Sequence, residues 1–318
     1  MKKSTIAALS AALCLAPLSL AFAQDAIVVY GLKGPSGLAM VRLFEDPPVA
    51  DGIPISVQAL PSVDVMVAKL VSGEAKIGIL PPNVAAKLAA AGRSLSVVAV
   101  VGEGMLSLLS ADPSVGSVAD LKGKTIEVAG QGATPDFVFR KILSAYALDP
   151  EKDLKLGYSL AYPEIAQALI AGRVSLALLP EPFATMARSG KPALTAPIDI
   201  QAEWAKAGGN ATYPMTTIVV DRAFAERNPG ALRVVLGAWR ASVLWTIANP
   251  AEAGRLAEKH DLGLKAAVAA AAIPRGAFVF IPASEARPSL EALYRTFLGY
   301  APASIGGALP SDAFYLGW

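Results

Sequence analysis

The sequence predicts an α/β protein of two similar lobes, each a mostly parallel sheet flanked by helices, joined by a two-crossing hinge. Three observations carry that expectation. A grammar of strand, glycine loop and helix runs through the first two thirds of the chain. It repeats at a constant offset of 99 residues, and the full 318 residues exceed what one hydrophobic core usually serves. The offset links Ile27-Val28-Val29-Tyr30-Gly31 to Ile126-Glu127-Val128-Ala129-Gly130, and Gly73, Leu80, Pro81 and Ala85 to Gly172, Leu179, Pro180 and Ala184. One unit built twice implies a cleft between the copies.

The lobes divide as residues 24–102 with 217–318, and residues 105–212, with crossings near 102–104 and 213–217. Residues 1–23 read as a signal peptide. Lys2 and Lys3 precede an apolar run, and Ala21-Phe22-Ala23 before Gln24 has the small-x-small form of a cleavage site. Cleavage after Ala23 would remove Cys14, the single cysteine, and with it any disulfide, thiolate metal site or cysteine nucleophile. The expected product is an exported, soluble protein. A net charge of +2 without a Lys/Arg block excludes a nucleic-acid partner.

A strand over 26–30 opens the first copy, and Gly31-Leu32-Lys33-Gly34-Pro35-Ser36-Gly37 forms the loop at its carboxyl end. Ser36 is expected to cap a helix over 37–45. The free N–H groups of such a helix start suit an anion or a carbonyl, and Lys33 adds charge. Lys33, Gly34, Ser36 and Gly37 are therefore candidate ligand contacts. Strands over 55–59 and 75–80 and a helix over 63–72 follow. Pro81-Pro82 ends the ladder, and Asn83 at the strand's carboxyl end is a further candidate, or alternatively a plain N-cap. After a strand over 95–101, Gly102-Glu103-Gly104 has the backbone freedom of a hinge, and Gly104 joins the candidates.

The second copy opens with a strand over 125–129 and Gly130-Gln131-Gly132-Ala133-Thr134-Pro135-Asp136. Thr134 is expected as the cap, Pro135 at the first helical position and Asp136 against the helix dipole. This start should oppose the Lys33 loop across the cleft, with Gln131 and Thr134 as contacts. A helix over 163–171 and a strand over 174–178 lead to Pro180-Glu181-Pro182. A carboxylate held between prolines is costly unless solvated or paired, so Glu181 is either a ligand contact or an interlobe salt-bridge partner. Tyr213-Pro214-Met215-Thr216-Thr217 reads as the return crossing, with Tyr213 and Thr216 as contacts. From Arg222 onward the chain is mostly helical and should pack on the first lobe, with Trp239, Trp245 and Phe297 in the core.

Catalytic machinery is thin. His260, the only histidine, sits at a polar helix end and reads as a solvated surface residue. Serine and cysteine triads and His-based zinc sites lack their parts. Gly123-Lys124-Thr125 precedes its strand, and Val118 stands where a phosphate loop needs its first glycine. The expectation is no catalytic residue, no metal and no cofactor.

The signal peptide is followed by Leu121-Lys122-Gly123-Lys124-Thr125-Ile126, by Ala168-Leu169-Ile170-Ala171-Gly172 with Leu178-Leu179-Pro180-Glu181-Pro182, and by the closing Pro302-Ala303-Ser304-Ile305-Gly306-Gly307-Ala308-Leu309-Pro310. In that order these motifs resemble the periplasmic solute-binding proteins of ABC importers, in the branch of nitrate, taurine, alkanesulfonate and thiamine-precursor binders. The resemblance implies the type II periplasmic binding fold, a hinge that closes on a small-molecule ligand, an ABC permease in the inner membrane as partner, and no enzyme activity. The chain departs from that branch at Leu179 and Pro180, where members often carry an aromatic residue. Two other readings stay open: an enzyme on the same scaffold, and a periplasmic sensor or adaptor that presents ligand to a receptor. Lys33 and the opposed helix starts favour an anionic or hydrogen-bonding ligand group, Tyr213 and Met215 an apolar or aromatic body, and Glu181 a cationic or N–H donor group. The sequence reading therefore stops at a small organic nutrient.

Overall fold

The computed structural model describes residues 27–128 and 130–318. The signal peptide lies outside the described residues, as does Ala129 at the end of the second copy's opening strand. In the first copy β1 (Ile27–Leu32) leads to α1 (Pro35–Ala39) and α2 (Val41–Glu45). A hairpin of β2 (Val49–Ala50) and β3 (Ile53–Leu60) follows, then α3 (Val63–Ser72), β4 (Ile77–Leu80) and α4 (Pro82–Ala90). After β5 (Leu95–Glu103) and β6 (Leu106–Ser110), the second copy runs through β7 (Thr125–Val128), α5 (Thr134–Ala145), β8 (Lys155–Gly157), α6 (Tyr162–Ile170), β9 (Leu176–Pro180) and α7 (Phe183–Gly190). Then come β10 (Thr195–Ile198), α8 (Ile200–Lys206) and β11 (Pro214–Asp221). The remainder is α9 (Arg222–Arg227), α10 (Pro229–Ala248), α11 (Pro250–Lys259), α12 (Ala266–Ala272), β12 (Phe278–Pro282) and α13 (Ala283–Tyr300).

The strands form a seven-stranded sheet in the order β12-β5-β11-β4-β1-β3-β2 and a five-stranded sheet in the order β10-β6-β9-β7-β8. The duplication is visible in the topology. In the first sheet β1 lies between β3 and β4, parallel to both, and in the second β7 lies between β8 and β9 in the same way. An antiparallel strand then flanks each core, β11 beside β4 and β6 beside β9. The sheets are therefore less parallel than the sequence suggested, each being mixed around a parallel core of three strands. The reason is connectivity: helical crossovers leave strands parallel, whereas β5, β6 and β11 carry the chain out of one sheet and back. The outer strands β8, β10 and β12 escape the sequence pattern because they are short and largely half-buried or exposed, so no apolar run marks them. Pro197 within β10 is tolerated because that strand is an edge.

The chain passes between the sheets twice, from Glu103 to Leu106 and again before Pro214. The two passages touch, the Gly104 N–H donating to the Tyr213 carbonyl at 3.0 Å. Gly104 has φ +46°, and a Cβ there would lie 2.0 Å from the Gln201 side chain, so any other residue must hold a strained backbone and displace Gln201.

One face of the first sheet packs against α1, α2 and α9 to α12, in a cluster that includes Leu38, Val98, Ile218, Leu236 and the fully buried Trp239. The other face belongs to a core that runs on into the second lobe, joining Leu293 and Phe297 of α13 to Phe137 and Ile142 of α5. Phe137 meets Phe297 edge-to-face at 4.8 Å and stacks near Tyr300 at 6.1 Å. Beneath α6 and α7 a third cluster holds Ile165, Leu169, Leu179 and Ala187. Helix α10 is the one helix among the described residues long and apolar enough to cross a membrane. Val235, Leu236, Trp239 and Val243 bury one of its faces in the core, which accounts for that composition. Trp245 is only half-buried, beneath the Arg42 guanidinium at 5.0 Å. His260 is partly buried rather than freely solvated, with its Nε2 2.9 Å from the Glu45 carboxylate.

Candidate functional site

A cleft of about 540 Å³ opens where the two copies face each other. Helix starts from both line it: Pro35 and Ser36 of α1, Val63 of α3 and the N-cap Pro81 of α4 on one side, and Thr134 of α5, Tyr162 of α6 and Phe183 of α7 on the other. The lining repeats the 99-residue offset. Gly34 and Ala133, Pro35 and Thr134, Ser36 and Pro135, Ser62 and Ala161, Val63 and Tyr162, and Pro81 and Pro180 all line the cleft, each pair one offset apart.

The helix starts differ from expectation by one or two residues. Helix α1 begins at Pro35 behind the N-cap Gly34, whose φ of 94° suits glycine, and Ser36 lies inside the helix rather than capping it. Helix α4 begins at Pro82 behind Pro81, so Asn83 is its second residue. Helix α5 begins at Thr134 behind Ala133. In each case a proline in the first turn pre-sets the backbone, and no side-chain cap is made. The consequence falls on Thr134. It is 2% exposed, lines the cleft, and its Oγ1 has no partner within the protein, so the hydroxyl that would have capped the helix is left unpaired. Pro35 and Pro135 have no N–H, so the first-turn donors without an intrahelical acceptor are those of Ser36 in α1 and of Thr134 and Asp136 in α5.

Asp136 holds the α5 corner in shape. Its buried carboxylate accepts the Gly132 N–H at 2.8 Å, the Tyr158 hydroxyl at 2.7 Å and the Arg140 Nε at 2.8 Å. Beyond complementing the helix dipole, it ties the glycine loop to the helix. Burial and this carboxylate raise the Tyr158 phenol well above its ordinary range, so it remains a donor.

Of the expected contacts, Lys33, Gly34, Ser36, Thr134 and Thr216 line the cleft, and Met215 does too. Lys33 is not a free charge: its Nζ lies 2.5 Å from the Asp261 carboxylate. The other six lie elsewhere. Gly37 is a packing residue, with a Cβ there falling 2.8 Å from the Leu32 carbonyl. Asn83 is buried behind the cleft wall with its Oδ1 unpartnered. Gly104 makes the crossing already described. Gln131 is exposed beside the cleft. Tyr213 is wholly buried edge-to-face on Trp204 at 5.4 Å.

Glu181 is neither a cleft residue nor, among the described residues, part of an ion pair. At 3% exposure its Oε2 accepts the Thr185 N–H at 3.0 Å, satisfying the first turn of α7, and its Oε1 is unpartnered. Burial pushes its carboxyl up, against the Thr185 N–H hydrogen bond and the positive charges of Arg275 and Arg188.

Two residues that the sequence reading passed over supply the aromatic surface. Tyr162 and Phe183 stack at 5.6 Å and 26° and are half-buried. The offset that defines the repeat would have found Tyr162, since it is the counterpart of Val63. The lining is otherwise apolar, with Met105, Met215, Ile79 and Leu262, and Lys33 is its only formally charged side chain among the described residues.

Two mixed sheets, two adjacent crossings and helix starts converging on the cleft between them define the architecture. This is the type II periplasmic binding protein fold. Residues 35–189 match the NMT1-like family, a segment that spans both copies of the repeat. A crystal structure of an ABC transporter from Parabacteroides distasonis superposes with a TM-score of 0.79 at 26% identity, covering 92% of this chain and 99% of that one. The periplasmic aliphatic sulphonate binding protein SsuA from Escherichia coli gives 0.68 at 19% identity, over 91% and 93% of the two chains. The periplasmic nitrate-binding protein NrtA from Synechocystis PCC 6803 gives 0.56 at 13%, over 77% and 69%. No curated protein sequence matches. The family and these neighbours agree with the branch that the motifs resemble.

Proposed function

We propose that this periplasmic-binding fold is the extracytoplasmic solute-binding component of an ABC importer, capturing a small organic nutrient in its cleft and delivering it to a permease in the inner membrane. The observation that carries the reading is the cleft itself. Its two walls are equivalent parts of the repeat, joined by two adjacent crossings. A solute touching both walls binds the closed arrangement better than the open one, and that difference in affinity drives closure. The contacts assigned to it are the Ser36 N–H, Thr134 and Thr216, with Lys33 at the rim. Binding and hinge motion suffice for the role, so no reaction is assigned. Export by residues 1–23, with cleavage after Ala23, and a monomeric state complete the reading.

Native mass spectrometry of the exported protein, followed by a thermal-shift panel of sulfonates, nitrate, carboxylates and heterocycles, tests it. A true ligand at a hundredfold excess over its dissociation constant adds about 2.7 kcal/mol, or about 5 °C for a chain of this size. A co-purified small molecule or one clear shift is expected. Turnover of a bound compound would instead support the enzyme reading.

A further inference from the structure

The two walls of the cleft match in backbone but not in chemistry. Where the first copy carries Val63 and Val84, the second carries Tyr162 and Phe183, one offset later. Both replacements are aromatic, both line the cleft, and they stack on each other. The same wall holds Thr134, whose buried Oγ1 lacks a partner, and the Tyr162 hydroxyl lies near the Gly130 turn that precedes it, 3.5 Å from where a Gly130 Cβ would stand. An aromatic face and an unpaired hydroxyl at a helix start therefore occupy one wall. No carboxylate lines the cleft among the described residues, and its only ammonium is paired with Asp261. Burial pushes the Tyr162 phenol up to about 12, so it stays neutral.

We propose that Tyr162 and Phe183 form a specificity platform for a planar, unsaturated ring, and that the ring bears an oxygen acceptor held by Thr134 and the backbone N–H groups of Thr134 and Asp136 at the start of α5. A cationic solute has no counter-charge in this cleft, and a small aliphatic anion leaves the aromatic wall without a partner. The solute is thus an aromatic carboxylate or a ring carbonyl compound. This rests on the solute-binding reading above and adds the ligand class to it.

The test is isothermal titration of the signal-free protein with benzoate, 2-pyridone, ethanesulfonate and phenethylamine, together with native mass spectrometry of the protein as purified. A ring acceptor, either benzoate or 2-pyridone or a co-purified molecule of that class, should bind at least tenfold tighter than ethanesulfonate or phenethylamine. Phe183→Leu should weaken that ligand about tenfold, and Phe183→Trp should retain it. Tyr162→Phe, which keeps the ring, should bind within a few-fold of the parent. Ethanesulfonate or phenethylamine binding as tightly as the ring compounds, a co-purified solute without a ring, or an unchanged Phe183→Leu would overturn the platform and leave the solute binder intact. If nothing co-purifies and no probe binds, the platform is overturned, and the solute-binding reading falls with it only when the wider thermal-shift panel is silent too.

Discussion

Glu181 is buried, half-satisfied and near no close cation, and this has a measurable consequence. Its folded-state carboxyl titrates above the ordinary value of about 4.3. The native state therefore holds the proton more tightly than the unfolded chain. Its contribution to stability is complete below about pH 4 and declines as pH rises through the folded value. Glu181→Gln, which keeps an acceptor for the Thr185 N–H, should raise the melting temperature at pH 7.5 and leave it unchanged near pH 3.5. A loss of stability at both pH values would mean that the charge is needed.

Thr134 presents the opposite case, a buried hydroxyl without a partner, which the proposal pairs with the solute. Thr134→Val preserves shape and removes the unpartnered Oγ1. Solute affinity should fall about tenfold, as for loss of one hydrogen bond in a desolvated site, while the melting temperature of the unliganded protein stays constant or rises. Titration and a thermal scan of the same sample check both halves. At Gly104, substitution by Ala should cost about 1–3 kcal/mol through its positive φ and its clash with Gln201. Adding Gln201→Ala should recover the part due to the clash, and denaturant unfolding of the single and double variants separates the two terms.

At the scale of the element, the α5 start works as one unit with its glycine loop. Asp136 joins the loop, the helix and Tyr158, so its removal leaves Arg140 partly buried beside an empty place and releases the Gly132 N–H. Asp136→Ala should therefore destabilise by about 3 kcal/mol and also weaken solute binding, although Asp136 does not line the cleft. Faster hydrogen exchange over residues 130–134 should accompany it. Exchange confined to other segments would argue against the tie.

Across the whole molecule, the aromatic contact of Phe137 with Phe297 makes one core of parts that belong to different sheets. Unfolding should then be a single cooperative transition in calorimetry, despite the two lobes. Phe137→Ala should lower stability by about 3–5 kcal/mol and separate the transition into two, because the two sheets lose their shared buried surface.

The amino-acid sequence by itself determined the duplicated plan, since the offset between Gly73 and Gly172, or between Pro81 and Pro180, follows from backbone requirements that a residue type reports locally. It also determined that helix starts meet at a cleft, because glycine loops and first-turn prolines are local signals. The tertiary structure alone decided which atoms face that cleft. A one-residue shift of a helix start left the Thr134 hydroxyl unpaired, Lys33 lines the cleft already paired with Asp261, and Glu181 turns to the first turn of α7. Tyr162 and Phe183 became the aromatic wall although only their place in the repeat, and nothing in their local sequence, sets them apart from core residues. Side-chain direction and pairing depend on neighbours far away in the chain, and those become visible only when the sheets are assembled.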